Sequence, residues 1–274
     1  MAERQHGRAG GTVVAAGLMA CVCLSTSGCG DSGEAAEDPV HTLHEAADAL
    51  VDAKSSRART SMEMATGGTR VTIRGEGVYD YTRRLGRLKV LLPQDPAGRV
   101  EHRPITELLA PGALFMKNRG AGVPADKWVR VETATLSDGN LVTGGATDPF
   151  AAAEVLRGTR TAKFVGLTDL AGTEVRHYTG TADLEVAART ASEGGREALA
   201  AAAQGFATAV VPFDVFLDEE GRIRKVRHRF SFVNGHRENT VAVASTTLLY
   251  DFGTPADVRL PADEDIYAGR IAEE

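Results

Sequence analysis

The chain from Pro212 to Phe252 reads PFDVFLDEEGRIRKVRHRFSFVNGHRENTVAVASTTLLYDF. It contains three long runs in which apolar and polar residues alternate, separated by Asp218-Glu219-Glu220-Gly221 and by Asn234-Gly235. Alternation at period two belongs to strands buried on one face, and Asn-Gly is a strong hairpin signal. Acidic residues ending in Gly suit a turn for backbone reasons, so Asp218, Glu219 and Glu220 read as turn chemistry. The runs commit this part of the chain to an antiparallel sheet with one face toward a core.

The same pattern extends upstream. RTSMEMAT, a Gly67-Gly68 turn, TRVTIRGEGVYDY, a turn around Gly86 and RLKVLLP read as a meander, and shorter strands are expected near TELLA, ALFMK and KWVRVE, the last carrying Trp128. AKFVGLTDL and TEVRHYTGTADL form another strand pair across Ala171-Gly172. Helices are interposed. Val40, Leu43, Ala47, Leu50 and Val51 recur at helical spacing, and DPFAAAEVLRG has Asp148 as N-cap with Pro149 at the first position. A further helical stretch over 183–207 is broken at Gly194-Gly195; its Ala-rich part is only weakly apolar and reads as a packed helix rather than a membrane span. About eleven strands with a few helices describe one α+β domain on a large antiparallel sheet.

All three cysteines, Cys21, Cys23 and Cys29, lie near the amino terminus. Arg4 and Arg8 precede the apolar run from Thr12 to Leu24, which has the length of a secretory signal's core and is short for a membrane span. Small residues precede Cys29 and the acidic GDSGEAAED follows it. This resembles a bacterial lipoprotein signal with Cys29 as the acylated first mature residue, although Thr26 stands where such signals normally carry Leu. Cys21, preceded by Leu18-Met19-Ala20, is the rival. The expected organisation is a signal over 1–28, an acylated tether over 29–38 and one domain over 39–274.

Loss of residues 1–28 from the 274-residue chain leaves 246, ample for one large domain, and takes the formal charge from −6 to −7. With Cys29 acylated the domain has no disulfide, so a packed core must hold it. The negative balance gives no reason to expect nucleic acid as a partner. Six Lys among 31 basic residues, with abundant Ala, Gly, Val and Arg, is the usage expected of a GC-rich genome such as an actinobacterial one.

Catalytic signatures are not found. There is no G-x-S-x-G, P-loop or G-x-G-x-x-G, so no enzymatic activity and no cofactor is expected. His41, His44 and Glu45 share a helix but lack a third ligand for a metal, and read as a polar face. Arg222–Arg229, RIRKVRHR, is the one dense basic run. On a strand its Lys225, Arg227 and Arg229 share a face, either a solvated sheet surface that discourages edge pairing or a surface for anionic lipid headgroups.

The succession of ADKWVRVE, the DPF helix, EVRHYTGTADL, VPFDVFLDEEGRIRKVRHRFSF and the closing YDFGTPADVRLPADEDI resembles the LppX_LprAFG family of actinobacterial lipoproteins, which share their fold with the LolA and LolB carriers. The resemblance implies a half-barrel with helices on its concave side. It also implies a lipid or lipid-linked hydrophobic ligand at the extracytoplasmic face of the cell membrane. Candidate cavity residues are those on one parity of the strands: Val71 and Ile73, Leu88 and Val90, Phe213 and Val215, Phe230 and Phe232. Ala242, Ala244, Ser245, Thr246 and Thr247 would leave space on the last strand, or lie beneath a packed helix. The alternative to a ligand carrier is an extracytoplasmic interaction or sensory module whose cavity is filled by its own side chains.

Overall fold

The computed structural model describes residues 38–66, 69–93, 103–120, 122–234 and 239–268; the signal, Cys21, Cys29 and the tether up to residue 37 lie outside these. Along the chain, α1 (Pro39–Asp52) is followed by β1 (Ser55–Thr66), β2 (Thr69–Asp80), β3 (Leu85–Leu91), β4 (Ile105–Ala110), β5 (Ala113–Lys117) and β6 (Val129–Glu132). Then come α2 (Pro149–Val155), β7 (Thr159–Leu170), β8 (Thr173–Asp183), α3 (Leu184–Thr190), α4 (Arg196–Gly205), β9 (Val210–Leu217), β10 (Ile223–Asn234) and β11 (Asn239–Tyr250). Residues 37–274 make one compact unit that holds the whole sheet and its helices.

All eleven strands join in one antiparallel sheet, in the order β6-β5-β4-β3-β2-β1-β11-β10-β9-β8-β7. Each half, β1–β6 and β7–β11, is a meander in which every strand pairs with its chain neighbour. Such pairing keeps loop closure inexpensive. One non-local ladder, Arg57↔Tyr250 through Ala65↔Ala242, stitches the halves together. Curvature makes the sheet a half-barrel with four helices on its concave side.

The helices start where the sequence marks them. Asp38 accepts from the Val40 amide at 3.0 Å, and Pro39 opens α1, whose Leu43, Ala46, Ala47 and Leu50 are buried. Asp148 accepts from the amides of Phe150 at 2.7 Å and Ala151 at 3.2 Å, capping α2. The break at Gly194-Gly195 separates α3 from α4.

Two expectations shift. The turn between β2 and β3 spans residues 81–84, while Gly86 sits inside β3. Gly86 is small because the Tyr79 ring packs against it: a Cβ there would lie 2.5 Å from a ring carbon. Trp128 precedes β6 and bridges Ile266: the Trp128 amide donates to the Asp265 carbonyl and the Tyr267 amide to the Trp128 carbonyl, both at 2.8 Å. The closing segment thus lies against the convex side, where Val258 packs with Leu85, Leu108 and Phe115. The hairpin between β10 and β11 is present, with Asn234 opposite Asn239; residues 235–238 lie outside the described ones.

Candidate functional site

The cross-strand registers put all eight candidate residues on the concave face. Ile73, Leu88, Val90, Phe213, Val215 and Phe230 are buried, while Val71 and Phe232 are half-buried against the same cluster. β2 and β3 on one side of the β1–β11 pair, and β9 and β10 on the other, thereby each turn an apolar surface inward, as alternation at period two requires.

What covers the centre of that surface is neither helix nor strand. Between β6 and α2 the chain crosses from one edge of the sheet to the other, and residues 138–148 sink into the trough, burying Leu141, Val142 and Ala146. Gly145 lies against β2 and β3; the position of its would-be Cβ is 3.4 Å from Ile73 and 3.5 Å from Val90.

A buried loop must satisfy its own backbone. Asp138 does so by accepting from the amides of Asn140, Val142 and Thr143 at 3.0, 2.8 and 2.5 Å, and the Asn140 side chain accepts from the Gly144 amide at 3.0 Å. Gly139, at φ +56°, leaves no room for a side chain, since a Cβ would fall 1.9 Å from the Ala198 carbonyl of α4.

The small residues of β11 divide between faces. Ser245 and Thr247 are buried on the concave side, whereas Ala242, Ala244 and Thr246 pair alongside outward-facing residues and leave no space inside. Thr147 Oγ1 and Ser245 Oγ share a 2.5 Å hydrogen bond, and Thr147 Oγ1 also donates to the Leu141 carbonyl at 2.8 Å. The smallness of Ser245 therefore accommodates the loop.

Polar groups lie beneath this cover. Glu107 on β4 is 0% exposed and neither carboxylate oxygen has a hydrogen-bond partner among the described residues. Burial pushes its carboxyl up to about 8, against the weaker opposite pull of Arg119. His228 on β10 is also buried, its Nε2 without a partner among the described residues, and burial holds the imidazole down at about 3. The hydroxyls of Thr60 and Thr247, cross-strand neighbours, are buried and unpartnered too. Sequence reading left Glu107 and His228 without a role. Both signals were available, because Glu107 shares its parity with Ile105 and Leu109, and His228 shares Phe230's.

At the α2 end of the trough a pocket of about 60 Å³ opens, lined in part by Tyr79, Asp148, Phe150, Glu154, Ser192 and Leu199. Burial pushes Asp148 up to about 6, against the hydrogen bonds it accepts from Phe150 and Ala151. Glu154 accepts from the Ser192 amide at 3.1 Å, from its hydroxyl at 2.9 Å and from Arg157 Nε at 3.2 Å. The pocket is far below the ~300 Å³ at which drug-sized ligand sites begin.

The fold is similar to that of LppX. The match to this Mycobacterium tuberculosis lipoprotein has a TM-score of 0.45 at 9% identity and covers 80% of this chain and 97% of that one. LprF from Mycobacterium bovis gives 0.40 at 13% identity, covering 82% and 97%. A LolA superfamily protein from Nitrosomonas europaea gives 0.34 at 10%, covering 78% and 94%. No protein-family model and no curated protein matches the sequence. The half-barrel description rests on the strand order and registers above.

The remaining motifs find ordinary places. His44 is hydrogen-bonded through Nε2 to the Thr159 carbonyl at 3.1 Å, tying α1 to the start of β7, and His41 stands beside Glu45 at 3.6 Å in solvent. Among the described residues no three His, Cys, Asp or Glu side chains gather into a metal-binding group. Asp218 is buried and accepts from the Arg222 amide and Nε, both at 2.9 Å, which holds the turn before β10. Lys225, Arg227 and Arg229 do share the convex face; Arg229 pairs with Asp214 at 2.6 Å and Arg227 lies 3.6 Å from Glu63. No described helix is long and apolar enough to cross a membrane.

Proposed function

We propose that this chain is a membrane-anchored lipoprotein that binds or transfers lipid, or another hydrophobic ligand, at the extracytoplasmic face of the cell envelope. The observation that carries the reading is the cover of the concave face. Residues 138–148 have no helix or strand of their own, fill the trough with Leu141, Val142 and Ala146, and bring Gly144 and Ala146 to the unpartnered Glu107 and Thr60. Withdrawal of such a segment costs no regular secondary structure and uncovers Ile73 and Val90, with apolar neighbours on both halves of the sheet. An acyl chain would replace the apolar contacts that the loop now supplies. Acylation at Cys29, with the tether over 29–38, would hold the domain at the membrane. The experiment is lipid extraction and mass spectrometry of protein purified from its native envelope, paired with titration of a fluorescent acyl probe. Copurifying lipid and saturable uptake are expected; a folded protein with neither refutes the reading.

A second reading, the interaction or sensory module, draws support from the same trough, because the pocket left open measures only about 60 Å³. Strand β7 favours it further. It is an edge of the sheet, and Phe164, Val165 and Leu167 on it are 45, 53 and 60% exposed, as suits a partner that adds a strand. This reading expects lipid-free protein in native mass spectrometry and recovery of an envelope protein that β7 variants no longer hold.

A further inference from the structure

The convex face carries charge opposite to that of the chain. Arg57 and Arg59 on β1, Arg74 on β2, and Arg87 and Lys89 on β3 are all exposed, and the registers align them with outward positions of their neighbours. Lys225, Arg227 and Arg229 continue the stripe across β11, which contributes no carboxylate to this face. Glu63, Glu76 and Asp80 oppose them on β1, β2 and β3, and Asp257 lines the larger groove of this face, in a chain of net charge −6. The excess is therefore local, and a field of one sign on one face steers partners of the other.

Edge protection does not explain it. Lysine and arginine guard strands at sheet edges, but here the edges are β6 and β7, and β1, β2, β3 and β11 each have a strand on both sides. Internal neutralisation does not explain it either. Arg57 lies 3.5 Å from Asp251, Arg227 3.6 Å from Glu63 and Arg229 2.6 Å from Asp214, yet Arg59, Arg74, Arg87 and Lys89 form no ion pair among the described residues.

The surface is also shaped. Two adjoining grooves of about 610 and 420 Å³ share Arg59, Glu76 and Lys89, and the smaller has Leu91 and Leu248 beside Arg74. Leu91 is 48% exposed. Cations above a partly apolar floor match the phosphate and the glycerol region of an anionic lipid.

We propose that the convex face over β1, β2 and β3 is a membrane-contact surface that seats the headgroups of anionic lipids, independently of any ligand on the concave side. A tether over 29–38 is short enough for this. Ten residues reach at most ~35 Å, and basic side chains feel an anionic surface only within about a Debye length of it, ~8 Å at physiological salt.

The test is cosedimentation of residues 37–274, which carry no acyl chain, with phosphatidylglycerol-containing vesicles and with phosphatidylcholine vesicles, at low and high salt. Binding to the anionic vesicles alone, weakened by salt, is expected. Arg59→Glu/Lys89→Glu lowers it by about tenfold or more. Arg160→Glu/Arg189→Glu, which makes the same change in net charge outside these strands, leaves it within about twofold. Thermal melts check that both variants fold. Equal binding to both vesicle types, insensitivity to salt, equal loss in the control variant, or capture of soluble polyphosphate without vesicle binding would each overturn the proposal.

Discussion

Thr147, in the loop that covers the trough, and Ser245, on β11 beneath it, are joined through their hydroxyls at 2.5 Å. This contact pins the end of the loop to the sheet just before α2 begins. It is also a place to lock the cover. In residues 37–274, which contain no cysteine, Thr147→Cys/Ser245→Cys should form a disulfide on oxidation. The oxidised protein is expected to lose uptake of an acyl probe and the reduced protein to recover it. Undiminished uptake by the oxidised form, with the crosslink verified by mass, removes residues 138–148 as the gate.

Glu107 makes stability depend on pH in a defined direction. Its carboxyl is raised from 4.5 to about 8 in the folded chain, so over that interval folding takes up a proton. Its contribution to stability is greatest below about 4.5, declines as pH rises to about 8, and levels off above it. Asp148, raised from 3.8 to about 6, acts with the same sign over the lower range, so the fall between 6 and 8 reports Glu107. Glu107→Gln should flatten that fall and add ~1–3 kcal/mol at pH 8, read from urea midpoints. An unchanged slope would show that the carboxyl is not kept neutral.

His228 acts at the acid end. Its imidazole is lowered from 6.5 to about 3 in the folded chain, so the unfolded chain gains a proton first as pH falls. The stability that its neutral form contributes is lost progressively from about 6.5 toward 3. His228→Leu, which keeps an apolar neighbour for Phe230, should remove most of that acid limb while the decline toward pH 8 persists. Chemical denaturation at pH 7 and pH 4 separates the two, and an acid limb that survives in the variant places its origin elsewhere.

Anchoring is tested at the amino terminus. Cys29→Ala should abolish incorporation of labelled fatty acid and move the protein out of the membrane fraction. If Cys21→Ala does this instead, the mature chain starts eight residues earlier and keeps Cys23 and Cys29 as thiols.

Much of this was legible in the order of residues. Alternation at Val71 and Ile73, Leu88 and Val90, and Phe213 and Val215 declared which face of the sheet is buried. Asp148-Pro149 declared where α2 starts. Such features are local, set by strand parity and by backbone amides at a helix end.

What occupies the trough was not local. Nothing in the spacing of residues 138–148 says that they sink between sheet and helices. Their burial depends on Gly139 meeting α4, on Gly145 meeting β2 and β3, and on Ser245 being small 98 residues away. The convex cationic face has the same origin. RIRKVRHR was visible as a run, but Arg59, Arg74 and Lys89 are scattered in sequence, and only strand pairing lines them up. The sequence alone determined strands, caps and the parity of burial, because each depends on neighbours within a few residues. The tertiary structure decided cover and field, because both are sums over side chains that meet only when the two meanders join at β1 and β11.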